Sequence, residues 1–170
     1  GRAGVVPNAA YRHFASRQAL FEAVRAAALG ALARVIERRW ARAQHIADPA
    51  ARARALLRAV GAGYLAFAQA ETGLFRTAFA AGEHDVQVPA DPARTGTLGL
   101  NPFELLGAAL DAMTQAGVLP AARRPGAEYL AWSAVHGMAL LCIDGPLRRA
   151  SAAARRALGE RVVEMVEQGL

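Results

Sequence analysis

The run from Leu20 to Ile36 constrains this chain more than any other stretch. Leu20, Val24, Ala27 and Ala28, then Ala31, Leu32, Val35 and Ile36, recur at i, i+3, i+4 spacing, the signature of one apolar helix face. The spacing predicts a single long helix from Arg17 to about Gln44, with Ser16 as its N-cap. Asp48-Pro49 reads as a second N-cap and first-turn pair, opening a helix through Leu56, Leu57, Val60, Tyr64 and Phe67. A short helix from Leu74 to Ala80 is expected after Thr72-Gly73. Residues 82–100 hold glycines, prolines and polar groups without a helical period, and are expected to be a loop and the most flexible part. Asn101-Pro102 opens a further helix ending near Ala116-Gly117. Pro125 is expected to begin the most apolar helix, stopped by Asp144-Gly145-Pro146, and Ser151 to cap a last one through Leu158, Val162, Val163, Val166 and Leu170. No strand pattern and no internal repeat stand out, so the expected fold class is all-α.

Composition agrees. Alanine is the commonest residue by far, and Ala, Leu, Arg and Glu lose little side-chain entropy in a helix. With 54% hydrophobic and 20% charged residues, a disordered chain is excluded. The longest apolar stretch, Tyr129 to Ile143, is interrupted by Ser133 and His136 and is shorter than the roughly 18–20 residues of a membrane span. The lone Cys142 cannot form an internal disulfide, and no signal peptide is visible. These features predict a soluble cytoplasmic protein with no membrane partner.

Charge is unevenly placed. Residues 1–58 carry 11 Arg against Glu22, Glu37 and Asp48, a balance of +8, whereas the remainder carries 9 Arg against 11 acids, a balance of −2; together these give the net +6. A basic end on a near-neutral body suits a polyanion, nucleic acid first and an acidic membrane surface second. A solvated arginine-rich helix face is the plainer reading of the same charges.

The segment from Ala3 to Leu20 reads as the second half of a helix-turn-helix. Gly4 sits where a tight turn needs it, Val5 would plug the angle between helices, and Phe14 and Leu20 would anchor a short helix at about 7–14. Asn8, Tyr11, Arg12 and His13 are then polar, donor-bearing groups on a helix too short to stand alone, the form that enters a major groove. An amphipathic turn whose aromatics belong only to a core is the competing reading of Tyr11 and His13.

Gly4-Val5, Tyr11-x-His13-Phe14 and Ser16-Arg17-x-x-Leu20 together resemble the recognition-helix signature of tetracycline-repressor (TetR) regulators. The resemblance implies that Pro7, Asn8 and Tyr11 meet base edges while Ala9, His13 and Arg17 lie at phosphate-contacting positions. It departs from the family at Val6, where Ser or Thr is usual, at Ala10, where Leu is usual, and at Arg17, where Lys is usual. It also implies two further helices before Gly4, so the chain is expected to lack the front of its reading head. Operator binding is therefore expected of the protein with those helices present. Residues 1–45 would be the C-terminal part of the DNA-binding domain with its connecting helix, and 46–170 a helical ligand-binding and dimerisation domain.

The body gives two further expectations. The helix over 126–143 is apolar nearly all round and so is expected to be buried on several sides. One of its stripes, Leu130, Ser133, Ala134, Gly137 and Leu141, is small at the centre. With residues 152–168 that stripe suits half of an intermolecular four-helix bundle in a homodimer, whose two-fold axis would match a palindromic operator. Ordinary core helices of a monomer would carry the same pattern. Trp132-Ser133-Ala134-Val135-His136-Gly137 resembles the Trp-x-x-x-His-Gly motif of the family's WHG-type C-terminal domain. The resemblance implies a small molecule bound in the body that changes the spacing of the DNA-binding heads, with repression relieved by ligand as the family's usual mode. Tyr64, Phe67, Phe75, Phe79, Phe103, Trp132 and His136 are the candidate ligand-binding residues, as large residues on helices expected to face inward. Whether Arg58, Arg76 and Arg94 face in or out is open, and pocket polarity with them.

Catalytic readings are weaker. Glu83-His84-Asp85 are adjacent in a glycine-flanked loop and do not converge as metal ligands do. Cys142 lies six residues after His136 and off its face, so it reads as a structural cysteine rather than a nucleophile beside a base. No phosphate-binding glycine loop, serine elbow or carboxylate pair appears. No catalytic residue, metal site or cofactor is expected. The alternative function is a helical small-molecule-binding or enzymatic bundle that does not bind DNA.

Overall fold

The computed structural model describes residues 16–80 and 91–170. Their order is α1 (Arg17–Ala43), α2 (Pro49–Ala70), α3 (Thr72–Ala78), a 3-10 turn (Pro92–Arg94), α4 (Pro102–Gln115), a second 3-10 turn (Ala121–Arg123), α5 (Ala127–Ile143), a third (Pro146–Arg149) and α6 (Ala152–Gly169). The described residues are all-helical, with no strand.

Four helix starts are set by one local bond each. Ser16, Asp48, Asn101 and Ser151 stand in extended backbone and accept from the N–H of the third residue on: Ala19 at 3.1 Å, Ala51 at 2.7 Å, Glu104 at 2.9 Å and Ala154 at 3.1 Å. At α4 the Glu104 carboxylate also accepts from Asn101 N–H at 2.7 Å, closing a capping box. α5 differs from expectation. It starts at Ala127 rather than Pro125, because Gly126 holds a left-handed turn (φ +78°) in which a side chain would be strained. Arg124 steadies that start, with Nε 2.7 Å from Asp111 of α4 and Nη1 2.7 Å from Glu128. The short helix α3 occupies Thr72–Ala78, two residues earlier than the spacing suggested.

α1, at 27 residues roughly 40 Å long, lies along α2, which also packs on α4, α5 and α6. α2 is thus the central helix: Leu57, Val60, Tyr64 and Phe67 meet Leu32 and Ile36 of α1, Phe75 of α3, Leu105 and Leu110 of α4, and Val135 and Met138 of α5 in one core. Glu167 of α6, almost wholly buried, accepts from Arg58 Nη2 at 3.0 Å and Arg54 Nη1 at 3.2 Å, and its other oxygen from Arg58 Nε, which ties the last helix to α2. Arg76 pairs with Asp144 at the exposed surface, so neither Arg58 nor Arg76 enters the interior.

Helix α5 is covered on fewer sides than its composition suggests. Ala131, Val135, Met138, Ala139 and Cys142 face the core, but Leu130 is 64% and Leu141 44% exposed, with Ser133 open between them. A Cβ added at Gly137 would meet nothing within 4 Å. No helix among the described residues is long and apolar enough to cross a membrane.

Candidate ligand cavity

A cavity of about 170 Å³ opens where six helices and one turn meet, against on the order of 10–15 Å³ for a single water. α2 supplies Leu57, Val60 and Tyr64, α5 supplies Ala131, Trp132 and Val135, and α6 supplies Val163 and Val166. Phe79, just past α3, and Phe103, in the first turn of α4, complete an apolar wall. Arg25 and Leu29 enter from α1, and Asp91, Arg94 and Thr95 from the turn before α4.

Trp132 is the middle of an aromatic arc, with ring centroids 6.1 Å from Phe79 and 6.0 Å from Phe103. Behind it runs a short polar chain. Trp132 Nε1–H donates to Tyr64 Oη at 3.1 Å, and Tyr64 Oη lies 2.7 Å from His136 Nδ1. Indole nitrogen can only donate, so Tyr64 Oη accepts from Trp132 and shares a second hydrogen bond with His136 Nδ1. Burial pushes the Tyr64 phenol well above its ordinary pKa, with the Trp132 hydrogen bond acting the other way, so Tyr64 stays a neutral phenol.

The seven residues singled out in the sequence divide. Tyr64, Phe79, Phe103 and Trp132 line the cavity. Phe67 and Phe75 are 2% and 1% exposed and lie in the core beneath it, Phe75 packing on Tyr64 at 5.4 Å and on Phe79 at 4.9 Å. His136 stands behind the wall, positioning Tyr64. Two of the charged lining residues are Arg94, whose orientation the sequence leaves open and which turns inward, and Arg25. Arg25 lies in register with Ala28, Leu32 and Ile36 on the apolar face of α1. A charge in that register was the readable signal.

The turn carrying Arg94 is held far more firmly than a glycine- and proline-rich loop suggests. Glu37 of α1, 7% exposed, accepts from Thr97 N–H at 2.9 Å, Thr97 Oγ1 at 2.6 Å and Leu98 N–H at 2.8 Å. Gly30 lets the turn lie flat on α1: a Cβ there would sit 2.6 Å from the carbonyl oxygen of Ala93. Burial acts to raise the Glu37 pKa, but the Thr97 hydroxyl, the Leu98 and Thr97 N–H groups and the charge of Arg34 outweigh it and hold it below 4.5. A depressed carboxylate stabilises the fold above its unfolded pKa and stops doing so as pH falls through the folded value. Denaturant titrations are expected to show wild type more stable than Glu37→Gln near neutral pH, with the gap narrowing as pH drops below about 4.5. A gap independent of pH would show that the carboxylate charge is not what holds the turn.

Among the described residues no three His, Cys, Asp or Glu side chains are grouped to hold a metal ion. Cys142 is buried, and burial pushes its thiol pKa up, away from the thiolate a nucleophile needs. Pro7, Asn8, Tyr11, His13 and the Glu83-His84-Asp85 stretch lie outside the described residues. Arg17 opens α1 at an exposed position one residue after the Ser16 cap.

The described residues form a helical body with a largely apolar cavity, walled in part by the long helix α1, which places them in the class of all-helical domains with space for a small molecule. The chain belongs to the tetracycline-repressor family: residues 57–166, which include the cavity's α2 and α5 walls and the Trp132–Gly137 motif, match the family described as "Tetracyclin repressor-like, C-terminal domain". No curated protein and no solved structure matches significantly.

Proposed function

We propose that this protein is a homodimeric, ligand-responsive transcriptional regulator that binds a palindromic DNA operator and, in the family's usual mode, represses until a small molecule enters the cavity. Residues 1–45 then comprise the C-terminal part of the reading head with its connecting helix, and 46–170 the ligand-binding and dimerisation domain. Pro7, Asn8 and Tyr11 contact bases, and His13 and Arg17 contact phosphates. Tyr64, Phe79, Phe103 and Trp132 contact the effector, with Phe67, Phe75 and His136 supporting them from behind.

The observation that carries this reading is the composition of the cavity wall. Arg25 and Leu29 belong to α1, the same helix that begins at Arg17 beside the helix-turn-helix segment. A ligand in the cavity therefore touches the element that leads to the DNA reader, so differential binding to two placements of α1 would couple the sites. The open apolar face of α5, with Leu130, Leu140 and Leu141 exposed, supports a second copy of the chain packing there.

Fluorescence anisotropy of the full-length protein, on DNA from upstream of its own gene, tests the proposal. Tight, sequence-selective binding that weakens with salt and falls in Tyr11→Ala is the expected result. Equal affinity for random DNA at low salt would remove the regulator reading and leave a helical binding or catalytic bundle.

A further inference from the structure

The ionised and hydroxyl side chains on the cavity wall are already engaged within the protein. Tyr64 Oη accepts from Trp132 Nε1 at 3.1 Å and shares a hydrogen bond with His136 Nδ1 at 2.7 Å. Arg25 Nε donates to the Ala78 carbonyl at 3.2 Å, and Glu22 stands 3.8 Å from Arg25 Nη1 and 3.5 Å from Arg94 Nη2. Asp91 Oδ2 lies 3.5 Å from Arg94 Nε, while Asp91 Oδ1 accepts from Ala93 N–H at 2.9 Å. Glu104 accepts from Asn101 N–H at 2.7 Å, and Thr95 Oγ1 donates to the Pro92 carbonyl at 2.8 Å. Arg94 Nε has no hydrogen bond among the described residues, but it is sealed from solvent and so from a ligand too.

Charge on the wall also balances. The described lining residues carry two guanidinium groups, on Arg25 and Arg94, and two carboxylates, on Asp91 and Glu104. Neither sign is left over to hold an ion. A charged ligand would give up its water for groups that already have partners, which opposes binding strongly. What the wall does offer is ring and aliphatic surface: Phe79, Phe103 and Trp132 in an arc, with Leu57, Val60 and Val166. Water against such surface is displaced with a gain in free energy. Volume sets the scale, since an apolar cavity of about 150 Å³ admits benzene and this one measures about 170 Å³.

We propose that the cavity takes a small neutral hydrophobe, the size of a benzene ring with a short alkyl substituent and without an ionised group. The assignment rests on the cavity being the effector site of the regulator. The ring lies against Phe79, Phe103 and Trp132, where stacked and edge-on contacts add to burial.

Calorimetric titration with toluene, benzoate and benzylammonium, alike in shape and different in charge, tests the assignment. Toluene is expected to bind about tenfold or more tighter than either ion, because a buried charge without a partner costs more than a lost neutral hydrogen bond. Phe103→Ala widens the cavity and is expected to raise the affinity ratio of naphthalene to toluene by about tenfold or more. Val166→Phe narrows it and is expected to abolish toluene binding. Thermal melts check that each variant is folded. Either ion binding as tightly as toluene overturns the neutral assignment while the effector cavity stands. Toluene binding that neither folded variant alters places the ligand elsewhere and overturns the assignment as well. Binding of none of the three by folded wild type removes the cavity as an effector site, and the hydrophobe with it.

Discussion

Phe67→Ala is expected to destabilise the fold by about 3–5 kcal/mol, the range for deleting a fully buried aromatic and leaving a void its neighbours cannot fill. On a domain of this size that lowers the melting temperature by on the order of 10 °C. The size of the effect follows from place: Phe67 lies in the last turn of α2, the helix that contacts α1, α3, α4, α5 and α6, and is 2% exposed. Phe103→Ala removes the same atoms from a position that borders existing free space, so it should cost less stability and more ligand affinity. Melting curves of the two variants check the stability contrast. A loss under about 1 kcal/mol for Phe67→Ala would show that the core closes over the site.

Leu130→Glu combined with Leu141→Glu is expected to turn the proposed dimer into a monomer while the melting transition of the chain stays cooperative. Both leucines stand on the open face of α5, and Gly137 between them leaves room for a helix to approach closely. Two carboxylates on each copy would crowd four into a two-fold contact, with desolvation and like-charge repulsion adding to the lost apolar burial. Light scattering should report a mass near 17.9 kDa for the variant and twice that for wild type. Because a palindromic operator is read by two heads together, operator affinity should fall with the dimer. A wild type that is monomeric at micromolar concentration would sink the dimer proposal, whatever the variant does.

Much of the fold was legible in the sequence because helix boundaries are local. A Ser, Asp or Asn whose side chain takes the N–H three residues on needs no partner from elsewhere, and four helices start at such residues. One helix start was misread, and one loop has an anchor that no local signal shows. Gly126 takes a left-handed turn rather than continuing a helix from Pro125. The segment before α4 has no period of its own, yet Glu37, sixty residues earlier, holds it by three hydrogen bonds.

The candidate site divides along the same line. Tyr64, Phe67, Phe75, Phe79, Phe103 and Trp132 were all recognisable as inward-facing large residues, since helical periodicity assigns a face. Periodicity cannot say whether the space in front of that face is filled. Phe67 and Phe75 meet side chains from neighbouring helices, whereas Phe79 and Phe103 meet a gap, and that difference is made by elements far away in the chain. Arg94 could not be oriented from a loop without a period, and the meaning of Arg25 emerged only when the turn carrying Arg94 was laid against α1. The sequence by itself determined which segments are helices, where four of them begin and which faces turn inward, because those choices rest on backbone hydrogen bonds and side-chain spacing within a few residues. The tertiary structure alone decided which inward residues are core and which border free space, and where the two arginines meet, because a cavity is what packing between distant segments leaves unfilled.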